Sequence, residues 1–260
     1  MNLLYLAHKN EHPRDKRIVF DEGPHIYYID GDSSYTSVTS WVGQHFPHFN
    51  ADEIINKMMK SKKWSKSKYF GQTKEQIKEL WANNGKEACD LGTKLHYNIE
   101  CFYNNNTVID ESVAYKQFLD FQTKIGSTMK PFRTEWTVFD EELKIAGSID
   151  MIFENEDGSL IIYDWKRSKE IKKTNRFESA TTECINHLPA SNFWKYSIQL
   201  NTYRTILEKN YGKTVSKMCL LSLHPSQPYY KIYIVPFLKN EMKDLLHLRL
   251  KNLNIKKSNI

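Results

Sequence analysis

The sequence predicts an α/β fold with an N-terminal helical part, and three observations carry the prediction. Apolar residues recur at helical spacing in the first half, at Ala88, Leu91, Leu95, Ile99 and Phe102, and again over Val113–Ile125. The middle changes to short β-rich runs over Phe132–Phe139, Ile145–Phe153 and Leu160–Trp165, separated by the turn signals Asp140-Glu141-Glu142 and Asn155-Glu156-Asp157-Gly158. Beyond them the pattern returns to helix, strands and helix.

In chain order, residues 17–42 alternate apolar and polar side chains around Asp30-Gly31-Asp32, which predicts a β-hairpin followed by a helix start near Ser37–Thr39. Residues 51–60, 74–83 and 86–103 have helical patterns, as do 113–125. The three β-rich runs predict a meander. A basic loop through Lys169–Arg176 leads to a helix over Phe193–Leu207, strands over Lys217–Leu223 and Tyr229–Val235, and a closing helix over Glu241–Leu253. No Pro/Gly/Ser-rich linker and no internal repeat divides the chain, so the expectation is one domain over 1–260. Within it, 1–128 is the mainly helical part with the hairpin and 129–260 is the core.

A chain of 260 residues can bury roughly 70–75% of its extended surface, so a small scaffold stapled by disulfides is excluded. The formal charge of +6 fits a polyanionic partner without demanding one. The apolar run Leu3-Leu4-Tyr5-Leu6-Ala7 is too short for a membrane span, and Glu11, Arg14, Asp15 and Lys16 follow it, so no membrane partner is expected. Cys89, Cys101, Cys184 and Cys219 lie far apart with no Cys-x-x-Cys pair, which leaves zinc and iron–sulfur frameworks unsupported. They fit free thiols in a reducing, intracellular compartment, with cytoplasm, nucleus and mitochondrion undistinguished.

The residues that carry chemistry cluster at Gly147-Ser148-Ile149-Asp150 and at Ile161-Ile162-Tyr163-Asp164-Trp165-Lys166. A strand has period two, so Asp164 and Lys166 share one face while Tyr163 and Trp165 share the other. With Asp150 on the neighbouring strand, two carboxylates and an ammonium converge, and the Trp165 carbonyl adds a hard oxygen. By ligand type that is a magnesium site. Phosphodiester cleavage needs charge neutralisation on the phosphate, a more acidic water and a stabilised leaving oxygen, all of which a carboxylate-held divalent ion can supply. Lys166 would orient or deprotonate the water, helped by a pKa lowered by nearby cations, or hold the phosphate. An isolated Asp-x-Lys pair is also a common surface ion pair, so the company it keeps decides.

That company is Glu135 on the preceding strand, Gly147 ahead of Asp150, His96 in Gly92-Thr93-Lys94-Leu95-His96, and Gln199-Leu200-Asn201-Thr202-Tyr203, whose spacing puts Gln199 and Tyr203 on one helical face. Together, over about residues 25–207, these segments resemble the RecB-like branch of the PD-(D/E)xK nuclease superfamily. The segments His25-Ile26-Tyr27 and Tyr35-Thr36-Ser37-Val38-Thr39 resemble the opening of the mitochondrial genome maintenance exonucleases and related viral nucleases. The resemblance implies a restriction-endonuclease-like core, a mixed central sheet flanked by helices. It implies that His96, Asp150, Asp164 and the Trp165 carbonyl ligate Mg²⁺ or Mn²⁺, with Lys166 as the catalytic lysine. Glu135 would hold a water at the ion or buttress its strand, and Gln199 and Tyr203 would position Lys166 or the scissile phosphate. Asp164 stands where many relatives have Glu, and the cysteines of the iron–sulfur relatives are missing, so no cluster is expected. Glu100, one turn beyond His96, could ligate the ion, orient the imidazole or stand as an exposed helix carboxylate, the last slightly favoured.

The implied activity is that of a metal-dependent nuclease, an exonuclease on single-stranded DNA or DNA ends, with a structure-specific endonuclease or an inactive DNA-binding relative as alternatives. Two basic segments would hold the nucleic acid. Lys62, Lys63, Lys66 and Lys68 are interleaved with Trp64, Tyr69 and Phe70, which fits either a single-strand channel wall or a solubilising face whose aromatics point inward. Arg167, Lys169, Lys172 and Lys173 directly follow the strand that carries Asp164, where a product strand could run.

Overall fold

The structure, a computed structural model, describes residues 3–258, with side chains through Ile255. The N-terminal part holds α1 (Tyr5–Lys9), the hairpin β1 (Ile18–Asp21) and β2 (Ile26–Ile29), the short β3 (Thr36–Ser37), α2 (Val38–Gly43), α3 (Ala51–Met59), α4 (Lys74–Tyr103) and α5 (Val113–Lys124). The core follows with β4 (Lys130–Asp140), β5 (Ile145–Glu154), β6 (Leu160–Lys166), α6 (Asn192–Asn210), β7 (Val215–Ser222), β8 (Lys231–Ile234) and α7 (Lys239–Ser258). This is an α/β fold with a mixed sheet between helices, a restriction-endonuclease-like core.

Two boundaries differ from the sequence reading. The hairpin reverses at Glu22–His25, because Asp21 pairs with Ile26 and Ile18 with Ile29. Asp30-Gly31 instead forms a second tight turn, with both residues in the left-handed region (φ 50° and 85°) and Ile29 bridged to Asp32. The helices expected over 74–83 and 86–103 are one helix of 30 residues. It opens with a capping box, the Thr73 hydroxyl accepting from the Gln76 N–H while the Gln76 side chain accepts from the Thr73 N–H. Gly85 and Gly92 cost about 1 kcal/mol each relative to alanine, which is too little to break a helix anchored at both ends. Ile77 is buried against α3, Leu95 and Ile99 are buried in the core, and no side chain between Ile77 and Leu95 is buried.

The sheet is built around β5. β4 pairs antiparallel with it from Ile145 to Glu154 along one edge. Its other edge is shared: β3 pairs in parallel with Ile145 and Ala146, and β6 pairs antiparallel with Met151–Glu154. Residues 147–150 have no strand partner on that edge among the described residues. β7 lies parallel to β6 after the α6 crossover, and β8 closes the sheet antiparallel to β7. Antiparallel neighbours need only short turns, whereas the parallel β6–β7 pair needs the long crossover that brings α6 onto the sheet.

Apolar side chains sort to the two faces. Ile162, Ile149, Trp136 and Val138 pack with Ile198, Leu200 and Ile206 of α6 and with Trp41 and Val42 of α2. Tyr163, Trp165, Met151 and Phe153 pack with Leu95 and Ile99 of α4 and Phe118 and Phe121 of α5. The period-two reading of β6 therefore holds: Trp165 goes to the α4–α5 side and Asp164 to the α6 side. In β5, Ile149 and Ile152 belong to the α6 side and Met151 to the other, so the alternation slips by one residue next to Asp150.

Candidate active site

The strand pattern sets the site. β5 and β6 pair only as far as Met151 and Tyr163, then separate, so Asp150 and Asp164 lie at the mouth of a fork rather than side by side in a ladder. The Trp165 N–H, freed from that ladder, donates to Asp150 Oδ2 at 2.8 Å and fixes the carboxylate in the fork. Across β4, Glu135 stands opposite Asp150, between the pairs Thr134–Met151 and Trp136–Ile149. Its backbone is left-handed, with φ 42°. For an L-residue other than glycine this costs on the order of 1–2 kcal/mol, a strain of the sort that collects at functional sites. Ser148 Oγ donates to Glu135 Oε2 at 2.8 Å and holds the carboxylate in place.

His96 enters from the last third of α4. Its Nε2 lies 2.9 Å from the Trp165 carbonyl oxygen, which can only accept, so Nε2 carries the hydrogen. Nδ1 then faces Asp150 Oδ2 at 3.5 Å and Glu135 Oε1 at 3.8 Å. One ligand atom from each of His96, Glu135 and Asp150 lies within 4.8 Å of the others, a group able to hold a metal ion. The Trp165 carbonyl, expected as a ligand, is engaged with Nε2; a carbonyl acceptor on the far ring nitrogen orients a ligating histidine. Asp164 is not in the group. It is 2% exposed, with Oδ2 2.6 Å from Lys166 Nζ and Oδ1 accepting from Gln199 Nε2 at 3.4 Å.

Buried charges this close shift one another. Burial disfavours the His96 imidazolium, yet Asp150 and Glu135 outweigh it and raise the ring to about 9. Burial and the neighbouring Asp164 raise Asp150 above the usual carboxylate range. Burial also works against the Lys166 ammonium, but Asp164 and Asp150 outweigh it and hold the proton on more tightly than in a free lysine. The groups that face Lys166 in this arrangement are anionic, so they raise its pKa, whereas the expected lowering rests on neighbouring cations. Glu100 is half-buried rather than exposed, and burial, then Glu135 and Glu22, push its carboxyl up to about 7.

The remaining predicted residues separate into groups. Gln199 reaches the site through Asp164, whereas Tyr203, one turn further along α6, is buried with its ring against Gly147. A Cβ at Gly147 would come within 2.8 Å of Tyr203 Cε1 and 3.0 Å of Val38 Cγ2, so glycine is what lets α6 pack on β5 there. Arg167 is half-buried, and Lys169, Lys172 and Lys173 are exposed, all contiguous with Lys166. Lys62, Lys63, Lys66 and Lys68 are exposed but precede the start of α4, roughly 33 Å of helix from His96. Trp64 is half-buried with its ring 6.0 Å from Phe70, and Tyr69 accepts a hydrogen bond from Trp81 on α4. These aromatics meet edge to face with one another and with Trp81, so neither sequence reading is met in full.

Two contributors escaped the sequence reading. Tyr196 puts its ring 4.6 Å beneath the Lys166 ammonium, a cation–π contact, and Ser148 bonds Glu135. Tyr196 stands three residues before Gln199, so helical spacing could have found it. None of the four cysteines forms a disulfide, and no helix among the described residues is long and apolar enough to cross a membrane.

The family model of the PD-(D/E)XK nuclease superfamily matches residues 111–247, just over half of the chain. No curated protein matches. Among solved structures, SSO0001 is 15% identical with a TM-score of 0.38, covering 96% of this chain and 84% of that one. A putative exonuclease from Eubacterium rectale is 13% identical with a TM-score of 0.37, covering 85% and 79%. Likenesses that distant carry no argument about activity.

Proposed function

The chain belongs to the PD-(D/E)XK nuclease superfamily, and on that premise we propose that it is a metal-dependent deoxyribonuclease of the RecB-like branch, an exonuclease on single-stranded DNA or free DNA ends. The observation that carries the reading is the convergence of His96, Glu135 and Asp150 at a strand fork beside the Asp164–Lys166 pair. A one-unit reading is supported by the N-terminal part, which supplies β3 to the sheet and His96 to the site. The histidine on the helix and Gln199 on Asp164 support the branch.

The donor set, one imidazole nitrogen and two carboxylate oxygens, fits a divalent cation such as Mg²⁺ or Mn²⁺. His96 Nδ1, Asp150 and Glu135 would hold it, with Asp164 as the adjoining acid. When bound, such an ion neutralises phosphate charge and makes a water more acidic. The chain's own residues do the rest. The Trp165 carbonyl fixes the His96 tautomer, and the Trp165 N–H fixes Asp150. Lys166, held protonated by Asp164 and Asp150 over the Tyr196 ring, donates from Nζ to a phosphate or leaving oxygen. As a base it would first have to surrender a proton that Asp164 keeps in place.

The test is a digestion of end-labelled single strands with Mg²⁺ or Mn²⁺. We expect degradation that EDTA abolishes and that Asp150→Ala or Asp164→Ala lowers by about a thousandfold or more. Lys166→Arg should keep a measurable part of the activity, because it keeps the charge; loss as complete as in Lys166→Ala would make the lysine a base. Resistance of circular single strands would mark an exonuclease, and their cleavage would transfer the chain to the endonuclease alternative. Undiminished activity in Asp164→Ala would remove Asp164 from the catalytic machinery.

A further inference from the structure

The geometry points to a phosphate-binding subsite at the N-terminus of α6, outside the metal centre: Ser191 and Arg176 take one phosphate of the strand, and Phe177 stacks on the base beside it. The subsite deepens the nuclease reading and rests on it. A cavity of about 480 Å³ opens there, walled by Lys172, Asn175, Arg176, Phe177 and Ser191. Ser191 stands at the N-cap of the 19-residue α6, yet its hydroxyl makes no capping bond to the helix. It is 7% exposed, and its Oγ is buried with no partner among the described residues. A buried hydroxyl without a partner costs about 1–3 kcal/mol, a deficit that a phosphate oxygen in the cavity would remove.

Everything else at this end favours an anion. The helix N-terminus presents positive partial charge, and no acidic residue stands in the first turn to neutralise it. Arg176 is exposed and forms no ion pair among the described residues, leaving its fork open for two phosphate oxygens. The one acid on the wall, Glu170, is 3.5 Å from Lys172 Nζ, so its charge is offset. The walls are fixed: Lys172 N–H donates to Asn192 Oδ1, Trp194 Nε1 donates to the Lys173 carbonyl, and Asn175 Nδ2 donates to the Ala190 carbonyl.

Phe177 is 94% exposed at the rim, beside the cation rather than in the core. An aromatic face next to a phosphate cradle suits an unpaired base, which can stack there, and not a duplex, whose bases are already stacked. Ser191 precedes Tyr196, whose ring lies against the Lys166 ammonium, by five residues, about 7.5 Å along the helix, so the subsite and the metal centre lie along the same helix. The phosphate is either the terminal monoester of a strand or an internal phosphodiester.

Binding of fluorescein-labelled single strands to the full chain, followed by anisotropy in EDTA, tests this. Strands carrying a 5′-phosphate, a 3′-phosphate or only hydroxyl ends are compared. Arg176→Gln should weaken binding about tenfold and lower the salt slope by about one. Ser191→Ala should weaken it about threefold. Phe177→Ala should cost about tenfold with single strands and nothing with blunt duplex. If the ligand is a terminal phosphate, the wild type prefers one phosphorylated end and the variants lose that preference. If it is internal, all strands bind alike and each variant weakens all of them equally. Wild-type affinity and salt slope in both Arg176→Gln and Ser191→Ala overturn the subsite while leaving the nuclease reading intact. A wild-type chain that neither binds the strands in EDTA nor degrades them with Mg²⁺ or Mn²⁺ overturns the nuclease reading itself. Arg176 is exposed, so its replacement does not endanger the fold.

Discussion

The two ends of α4 carry charge in opposite ways. At the His96 end, imidazole, carboxylates and ammonium are packed within a few ångströms, hydrogen-bonded to the backbone and to each other, and shifted in pKa by burial and neighbours. At the Thr73 end, Lys62, Lys63, Lys66 and Lys68 project into water, with aromatics paired among themselves. In water an ammonium contributes a screened field and little geometry, whereas in the interior the same charge must be matched atom by atom. One end is therefore built to place atoms and the other at most to attract a polyanion.

The sharpest way to break this contrast is to exchange the readouts. Lys166→Ala should lower kcat by about a thousandfold while leaving single-strand affinity within a few-fold, because the buried end acts on the transition state. Reversing Lys62, Lys63, Lys66 and Lys68 to Glu should raise KM by about tenfold or more at low salt, flatten the salt dependence and leave kcat nearly unchanged. An unchanged KM would show that the exposed end is only a solvated face. Gly147→Ala, which forces a methyl against Tyr203 and Val38, should destabilise the fold by about 1–3 kcal/mol in urea unfolding.

The smallest effect should come from a buried titratable group outside both ends. His45 is buried, with Nδ1 2.8 Å from Thr182 Oγ1 and Nε2 without a partner among the described residues; burial, then Arg249, lowers it to about 4. Its ordinary value of 6.5 applies to the unfolded chain, which therefore binds the proton more tightly. Stability is full above that value and is lost as pH falls from 6.5 toward 4, by about 3 kcal/mol at most. His45→Phe should remove that slope from urea midpoints measured across the window. A slope that survives the substitution would place the acid sensitivity in His12 or His224, whose imidazoles burial also lowers, because the raised His96 and Asp150 favour the fold as pH falls.

Much of the site was legible because it is local in sequence. Asp164 and Lys166 share a strand face, and Gln199 and Tyr203 a helix face, since period two and period 3.6 are properties of short segments. The single 30-residue α4 was less legible: Gly85 and Gly92 weaken the helical signal, and only the packing of Ile77 on α3 and Leu95 in the core shows that one rod joins them. The hairpin turn was misplaced because Asp30-Gly31 and Gly23-Pro24 are both turn-forming, and strand pairing chose between them.

Residue chemistry alone fixed the candidates, because few side chains can bind a divalent ion or hold a phosphate. Which of them meet was decided by tertiary structure. The fork between β5 and β6, the left-handed Glu135 and the docking of α4 bring Glu135 rather than Asp164 into line with His96 and Asp150. Strand pairing and helix docking join residues dozens of positions apart, and no local period encodes those distances.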